Sequence, residues 1–281
     1  MKNIWRHIKE WVKHHSRGVR IATKVALTPI FIILLLFVIT SVSAVYDFGQ
    51  PKPFSGEAIY NPYADVDTTY GWKRGNLHTH TRVEGVFNEC DESPARVYEE
   101  YLKYGYDFVQ FSNHNEITPH PQGGDKGISL YEHGFNLLKF HINVYGSTQT
   151  TLFDHALPIF DFQRQYQIDR LSRSCDILQL NHPLRTPLTS DDMLRELEGY
   201  TIMELDSGRS VENEYWDTAL SAGHYSFGLA GDDLHDPTKS SKIAIRCSFL
   251  GLDNITSDDI LRTLSRGCYY SMRIPDYGAG D

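Results

Sequence analysis

From Trp72 onward, short apolar runs alternate along the chain with segments whose apolar residues recur every three or four positions. The runs predict buried strands, and the three-to-four spacing predicts helices with one buried face. One helical segment opens with the capping residues Ser93 and Pro94 and closes at Gly105. The predicted strands are GNLHTH, YDFVQFSNHN, LKFHINVYG, CDILQLNHP, YTIMEL, YSFGLAGDD and IAIRCSFL. The predicted helices are SPARVYEEYLKYG, a stretch around 162–171, TSDDMLRELEG, residues 212–222 and TSDDILRTLSRG.

Alternation of strands and helices is typical of an α/β fold in which helices cover a parallel sheet. About seven such units in roughly 210 residues favour a closed (β/α) barrel over an open sheet. The sequence therefore predicts an α/β domain, a (β/α) barrel, over residues 72–281.

A different pattern stands near the start, where residues 25–44, VALTPIFIILLLFVITSVSA, contain no charge. A helix of this length at ~1.5 Å per residue spans a bilayer core of ~30 Å. The basic flank before it predicts a transmembrane signal anchor over 25–44, with the body outside the cytoplasmic membrane. The alternatives are a cleaved signal peptide, which would release a secreted body, and a buried core helix. Residues 45–71 are predicted to be a linker.

The first 24 residues form a basic leader with seven Lys or Arg residues and one acid, so their net charge is +6. The leader is predicted to be an amphipathic helix on the cytoplasmic side. Two interpretations stay open: a helix that lies along the anionic inner leaflet, and a solvated flank that only sets topology. The apolar face consists of Ile4, Trp5, Ile8, Trp11 and Val12.

The net charge of the chain limits the kinds of function that the sequence predicts. The chain has 281 residues and a net charge of −9, which leaves −15 for residues 25–281. An acidic body argues against non-specific nucleic-acid binding, and no specific nucleic-acid partner is predicted. It leaves room for a metal enzyme acting on phosphates, because bound cations reverse the local field. The four cysteines include no CxxC pair, so both disulfides and free thiols stay open.

Histidines and acids gather where the predicted strands end. His78 and His80 are two positions apart, so in a strand both rings point to the same side. In a barrel the strand ends share the face on which active sites are built. One histidine alone is more often structural, but several strands that each deliver a ligand type predict a metal site. These residues are His78, His80, His114, His141, His182, Asp233 and His235.

The order of these motifs resembles the PHP family, the polymerase and histidinol phosphatase superfamily. The resemblance covers residues 72–274 and rests on NLHTHT, GYDFVQFSNHN, FHINVYG, DILQLNHP, GLAGDDLHD and ILRTLSRGCYY. It implies a distorted (β/α)7 barrel that binds two or three divalent metal ions and hydrolyses phosphoesters. Zinc, manganese and iron all suit ligands of this kind.

Carried onto this sequence, the resemblance implies three metal positions. The first would be bound by His78, His80 and Asp233, the second by His141 and His182 with Glu132 as the bridging carboxylate, and the third by His114, His235 and Glu89. Glu84 is an alternative to Glu89, and a loop acid is the alternative reading of Glu132. Relatives commonly carry an Asp where this chain has Asn113, which would orient His114 without adding charge. Four other histidines are predicted not to bind metal: His120, His133, His155 and His224.

The resemblance assigns catalysis to water activated by the metal centre, and no protein nucleophile is predicted. Arg185 and Arg209 are candidate phosphate binders or plain surface arginines. The predicted function is a membrane-anchored phosphatase or phosphodiesterase acting on a small phosphorylated substrate. The alternatives are amide or other ester hydrolysis at the same metals and a non-catalytic, metal-containing binding module. No oligomeric state is predicted.

Overall fold

The computed structural model describes residues 2–14, 17–57, 60–64, 66, 71–86, 88–208, 211 and 213–274. The chain divides into two units, Met1–Val42 and Ser43–Asp281. The first unit contains helices α1 (Lys2–His14) and α2 (Arg17–Ile39). Helix α1 lies within the predicted leader, residues 17–24 of which belong to α2, and the apolar residues Ile4, Trp5, Ile8 and Trp11 are exposed.

Helix α2 is the one helix in the described part of the chain that is long and apolar enough to cross a membrane. It begins eight residues before the predicted anchor and ends at Ile39, five residues before Ala44. Beyond Ile39, the hydroxyls of Thr40 and Ser41 donate to the carbonyls of Leu36 and Phe37 (2.9 and 2.7 Å). No residue of α2 is buried within its own unit.

The second unit is a mixed α/β domain. Its strands are β1 (Trp72–Asn76), β2 (Phe108–Val109), β3 (Leu130–His133), β4 (Ile142–Tyr145), β5 (Ile177–Leu180), β6 (Ile202–Asp206), β7 (Phe227–Ala230), β8 (Arg246–Gly251) and β9 (Tyr269–Arg273). Its helices are α3 (Pro94–Lys103), α4 (Asp161–Ser172), α5 (Asp191–Glu196), α6 (Asn213–Ala222) and α7 (Ser257–Arg266), with a 3₁₀ helix at Pro183–Arg185.

The strands form two sheets, in the orders β2-β1-β8-β9 and β3-β4-β5-β6-β7. The prediction of an α/β fold is confirmed, but the all-parallel sheet is wrong. Pairs β1–β2, β5–β6 and β6–β7 are parallel, whereas β1–β8, β8–β9, β3–β4 and β4–β5 are antiparallel. The eight residues between β3 and β4 contain no helix, and so short a connection cannot make the crossover that a parallel pair needs.

The two sheets are not closed into one continuous barrel in the described residues, but single bridges join them. His114, five residues beyond β2, pairs with Glu132 in β3. Thr79 pairs with Leu234 beyond the ends of β1 and β7. These bridges bring the segments that follow several strands to one side of the domain. The predicted ligands lie on those segments.

Eight strands contribute to one interior cluster, which contains Phe108, Leu130, Tyr145, Ile177, Ile202, Leu229, Leu250 and Tyr269. Close packing explains Gly75 in β1, because a Cβ there would lie 2.0 Å from the Phe108 ring. The predicted helix signals are confirmed at α3, where Ser93 Oγ accepts from the backbone N–H of Arg96 (3.3 Å). All four cysteines are free thiols, and Cys90 and Cys247 are buried.

Candidate metal centre

The segment after β1 holds its two histidines beside the segment after β7. The backbone N–H of Asp233 donates to the carbonyl of His78 (3.0 Å), and the N–H of His80 donates to the carbonyl of Leu234 (2.9 Å). Both histidines lie beyond the end of β1, not within it as predicted, but these backbone bonds hold them side by side. Their Nε2 atoms therefore face the same oxygen, Oε2 of Glu132, at 3.3 and 3.2 Å.

The two carboxylate oxygens of Asp233 contact different partners, the histidine pair and an arginine. Its Oδ1 lies 3.4 Å from His78 Nε2 and 3.2 Å from His80 Nε2. Its Oδ2 accepts from Arg185 Nη1 at 2.5 Å. Asp233 has a φ of 47°, in the left-handed region that side chains other than glycine rarely adopt. Such strain persists where the surrounding structure enforces it, and it is concentrated at functional sites.

Glu132, on β3, is the centre of the cluster and is 1% exposed. Its Oε2 faces three histidines, since His114 Nε2 lies 3.4 Å away in addition to His78 and His80. Its Oε1 lies 3.1 Å from His141 Nδ1 and 3.4 Å from His182 Nε2. Each carboxylate oxygen thus faces a different group of imidazoles. This is the arrangement expected of a carboxylate that bridges two ions.

Glu89 completes a third group from a loop. Its Oε2 lies 3.1 Å from His114 Nε2 and 2.7 Å from His235 Nε2. The rival acid, Glu84, is exposed and makes no ion pair in the described part of the chain. The geometry therefore favours Glu89 for this position.

All nine predicted ligands lie in one cluster. Within the described residues, three sets of donor atoms lie close enough together to hold an ion: His78, His80, Glu132 and Asp233; His80, Glu89 and His114; and His114, Glu132 and His141. His182 and His235 contact Glu132 and Glu89 but belong to none of these three sets. The grouping also differs from the predicted one in that His114 faces both Glu89 and Glu132.

The separations match those between ligands of one ion. Two donors that are each about 2.1 Å from a tetrahedral ion lie about 3.4 Å apart. The distances from Glu132 and Asp233 to His78 and His80 are 3.2–3.4 Å. The buried His78 Nε2 makes no hydrogen bond with any described residue. A buried nitrogen aimed at two carboxylates is what a divalent cation between them would satisfy.

Glu204, on β6, is a residue of the site that sequence reasoning missed. Its Oε1 accepts from His78 Nδ1 at 2.6 Å, and its Oε2 accepts from the backbone N–H of His182 at 3.1 Å. A proton held on Nδ1 leaves the Nε2 lone pair free for an ion and fixes the ring orientation. The available signal was an acid inside the apolar run YTIMEL, because a buried carboxylate needs a partner.

The cluster is strongly polarised. Burial lowers the pKa of His78, but Glu204, Glu132 and Asp233 outweigh it and hold that pKa well above 6.5. Burial likewise opposes ionisation of Glu132, yet His114, His78 and His141 keep its pKa well below the usual range. Protons on the imidazoles and a bound cation would thus play the same electrostatic role. Metal binding should displace those protons.

Asn113 does not orient His114, so that expectation is wrong. Its Oδ1 accepts from the backbone N–H of Thr81 (2.7 Å), and its Nδ2 donates to the hydroxyls of Thr81 and Thr118 (2.7 and 2.6 Å). The amide instead holds the loop that follows His80. Arg209 lies outside the described residues.

One comparison with a solved structure supports the fold. No protein-family model matches the chain, and no curated protein matches it. A solved structure with a similar fold is a two-domain protein from Bacteroides vulgatus ATCC 8482 that contains a predicted PHP-like metal-dependent phosphoesterase. It is 15% identical, with a TM-score of 0.51, over 82% of this chain and 70% of that one. A second solved structure is that of a predicted metal-dependent phosphoesterase from Bifidobacterium adolescentis ATCC 15703. It is 15% identical, with a TM-score of 0.41, over 69% of this chain and 96% of that one.

Proposed function

We propose that the chain is a metal-dependent phosphoesterase of the PHP superfamily, a phosphatase or phosphodiesterase for a small phosphorylated substrate. The observation that carries the proposal is Glu132, whose two oxygens face separate groups of imidazoles. The fold likeness to a protein that contains a predicted PHP-like metal-dependent phosphoesterase supports it. The two sheets would then correspond to a distorted (β/α)7 barrel whose carboxyl-terminal rim carries the site.

We assign the ions as follows. His78, His80 and Asp233 would hold one ion, His141 and His182 a second, and His114, His235 and Glu89 a third, with Glu132 bridging the first two. Two or three divalent ions of zinc, manganese or iron suit this set of nitrogen and oxygen donors. When bound, such ions lower the pKa of water and stabilise charge on phosphoryl oxygens.

Arg185 is the proposed phosphate binder. One of its terminal nitrogens bonds Asp233, which fixes the guanidinium at the edge of the cluster. Its Nε is buried and has no hydrogen-bond partner among the described residues. A guanidinium carries five N–H donors, so several are available for phosphoryl oxygens beside the metal ligands.

We also propose that α2 anchors the chain in the cytoplasmic membrane, with the leader inside and the metal centre outside. An 18-residue apolar window of this helix has a length of about 27 Å at 1.5 Å per residue, close to the thickness of a bilayer core. The test is protease access to intact spheroplasts. Digestion of the body from outside is expected, and a body protected until lysis would reverse the topology. Full release of the body into the medium would favour the cleaved signal peptide.

The test of the activity is phosphate or alcohol release from generic phosphomonoesters and phosphodiesters by the full chain, stripped of metal and reloaded with zinc or manganese. Activity that returns with metal and is absent in the His78→Ala/His80→Ala variant is the expected result. Hydrolysis of amide or carboxylic ester substrates, with none of phosphoesters, would move the reaction to that class. A metal-loaded protein inert on every class would make the site a binding module.

A further inference from the structure

A cavity of about 260 Å³ opens directly beside the metal centre, and Asp233 and His235 form part of its wall. The rest of the wall includes Ser207, Lys242 and Arg246. Since liquid water occupies about 30 Å³ per molecule, this volume accommodates a group of several heavy atoms. A substrate whose phosphoryl group lay at the metal centre could place its remaining portion here.

The wall of this cavity carries one polar group and one cation that no described residue pairs with. The hydroxyl of Ser207 is buried, at 3% residue exposure, and has no hydrogen-bond partner among the described residues. Arg246 and Arg273 both donate to the single carboxylate of Asp206 (2.5 and 2.6 Å). Arg246 Nη1 also lies 3.9 Å from Oδ1 of the buried Asp232, so two carboxylates balance the two guanidinium groups. Lys242, at the mouth, makes no ion pair within the described part of the chain.

The acids on the same wall are already engaged. Asp233 belongs to the cluster, and Asp236 pairs with Lys239 at 2.8 Å. Asp232 accepts from Asn76, from Tyr101 and from backbone N–H groups that include that of Arg246. The charge left to attract a ligand is therefore positive.

A second cavity, of about 450 Å³, lies on the other side of His235 and has the opposite character. Besides Asp236, which lines both cavities, the carboxylates of Glu89, Asp91 and Glu92 line it, and none of its described lining residues is a lysine or arginine. An anionic substrate portion would be repelled there and attracted to the cavity beside Lys242. The two openings thus impose a direction on a bound substrate.

We propose that the cavity lined by Ser207, Lys242 and Arg246 is a second anion subsite, and that the substrate carries a phosphate or carboxylate beyond the phosphoryl group at the metals. This inference rests on the proposed function for the position of the reacting group. Lys242 supplies the countercharge at the mouth, and Ser207 supplies a hydroxyl donor at the floor.

Non-hydrolysable phosphonates test the subsite by equilibrium binding. The probes are propylphosphonate, 3-phosphonopropionate and propane-1,3-bisphosphonate, titrated into the zinc-loaded full chain in detergent micelles. A second anionic group should tighten binding about 3- to 5-fold, as expected for an ion pair with a solvent-exposed lysine. The stronger of the two dianionic probes identifies whether the subsite prefers a carboxylate or a phosphonate.

The decisive quantity is the affinity ratio between the dianionic probe and propylphosphonate. Lys242→Ala should bring this ratio close to one, and Ser207→Ala should reduce it. Lys103→Ala, on the outer helix α3 and lining neither cavity, should keep the wild-type ratio. A ratio of one in the wild type, or an unchanged ratio in Lys242→Ala, would overturn the subsite. Phosphoester turnover without a ratio above one would leave the proposed function standing and remove only this inference.

Discussion

The carboxylate of Glu204 offers the sharpest test of how the site prepares a metal ligand. Its two oxygens accept from two donors at once, His78 Nδ1 and the backbone N–H of His182. In Glu204→Gln the amide has the same shape but only one acceptor. If its oxygen faces His182, its NH₂ group faces His78 Nδ1. The His78 proton then moves to Nε2, which can no longer bind an ion.

The size of the effect follows from these contacts. Glu204 and His78 are both 0% exposed, so water cannot replace the lost bond. A hydrogen bond to a charged group contributes about 1.5–3 kcal/mol. That range corresponds to a loss of about 10- to 100-fold in metal affinity, in line with the loss of other carboxylates that orient a histidine ligand.

Competition with a chromophoric chelator measures the zinc affinity of wild type, Glu204→Gln and a matched control. The control is Glu100→Gln on α3, whose carboxylate pairs, among the described residues, with Arg96 and Lys103 of its own helix. Melting of the metal-free proteins separates a folding defect from a binding defect. A Glu204→Gln variant that folds normally and binds zinc as tightly as wild type would refute the proposed control of the His78 tautomer.

Three further predictions concern the same cluster. Gly231→Ala should lower the free energy of unfolding by about 1–3 kcal/mol and weaken metal binding, because the added Cβ would lie 2.7 Å from His78 Cβ. Calorimetric melting and chelator competition measure these effects, and an unchanged Tm would contradict the prediction. Burial lowers the pKa of His114 and His235, but neighbouring carboxylates raise both pKa values above 6.5. Zinc binding at pH 7 should therefore release protons and weaken as the pH falls. Titration calorimetry in buffers of different ionisation enthalpy tests this, and equal binding heats would contradict it. Arg185→Ala should reduce kcat/KM for phosphoesters about 10-fold while metal content stays unchanged, and a parallel loss of metal would make Arg185 structural.

Most of the histidine ligands and Asp233 could be proposed from sequence because they lie at or just beyond the end of an apolar run, next to short motifs such as NLHTHT and LQLNHP, whereas Glu89 and Glu132 were proposed only from the family resemblance. What the sequence did not reveal is how the ligands are held. Glu204 and Asn181 contact ligands through hydrogen bonds, and Asn181 Nδ2 donates to Glu132 Oε1 at 2.8 Å. Such partners follow no fixed spacing, because strands distant in the chain bring them together.

The fold was predictable at the level of its elements but not of its strand directions. Strand β3 was missed because it is only four residues long and two of those, Glu132 and His133, are polar. Strand β9 was missed because its sequence YYSMR carries little apolar signal. Alternating patterns show where strands occur, whereas the direction of pairing depends on connections and partners that the pattern does not encode.

The measurement that tests the central claim most directly is metal content per chain, by elemental analysis of the full-length protein beside the His78→Ala/His80→Ala variant. The account predicts two or three equivalents of a divalent metal in the wild type and at least one fewer in the variant. A folded wild-type protein that remains metal-free after dialysis against zinc and against manganese would contradict it.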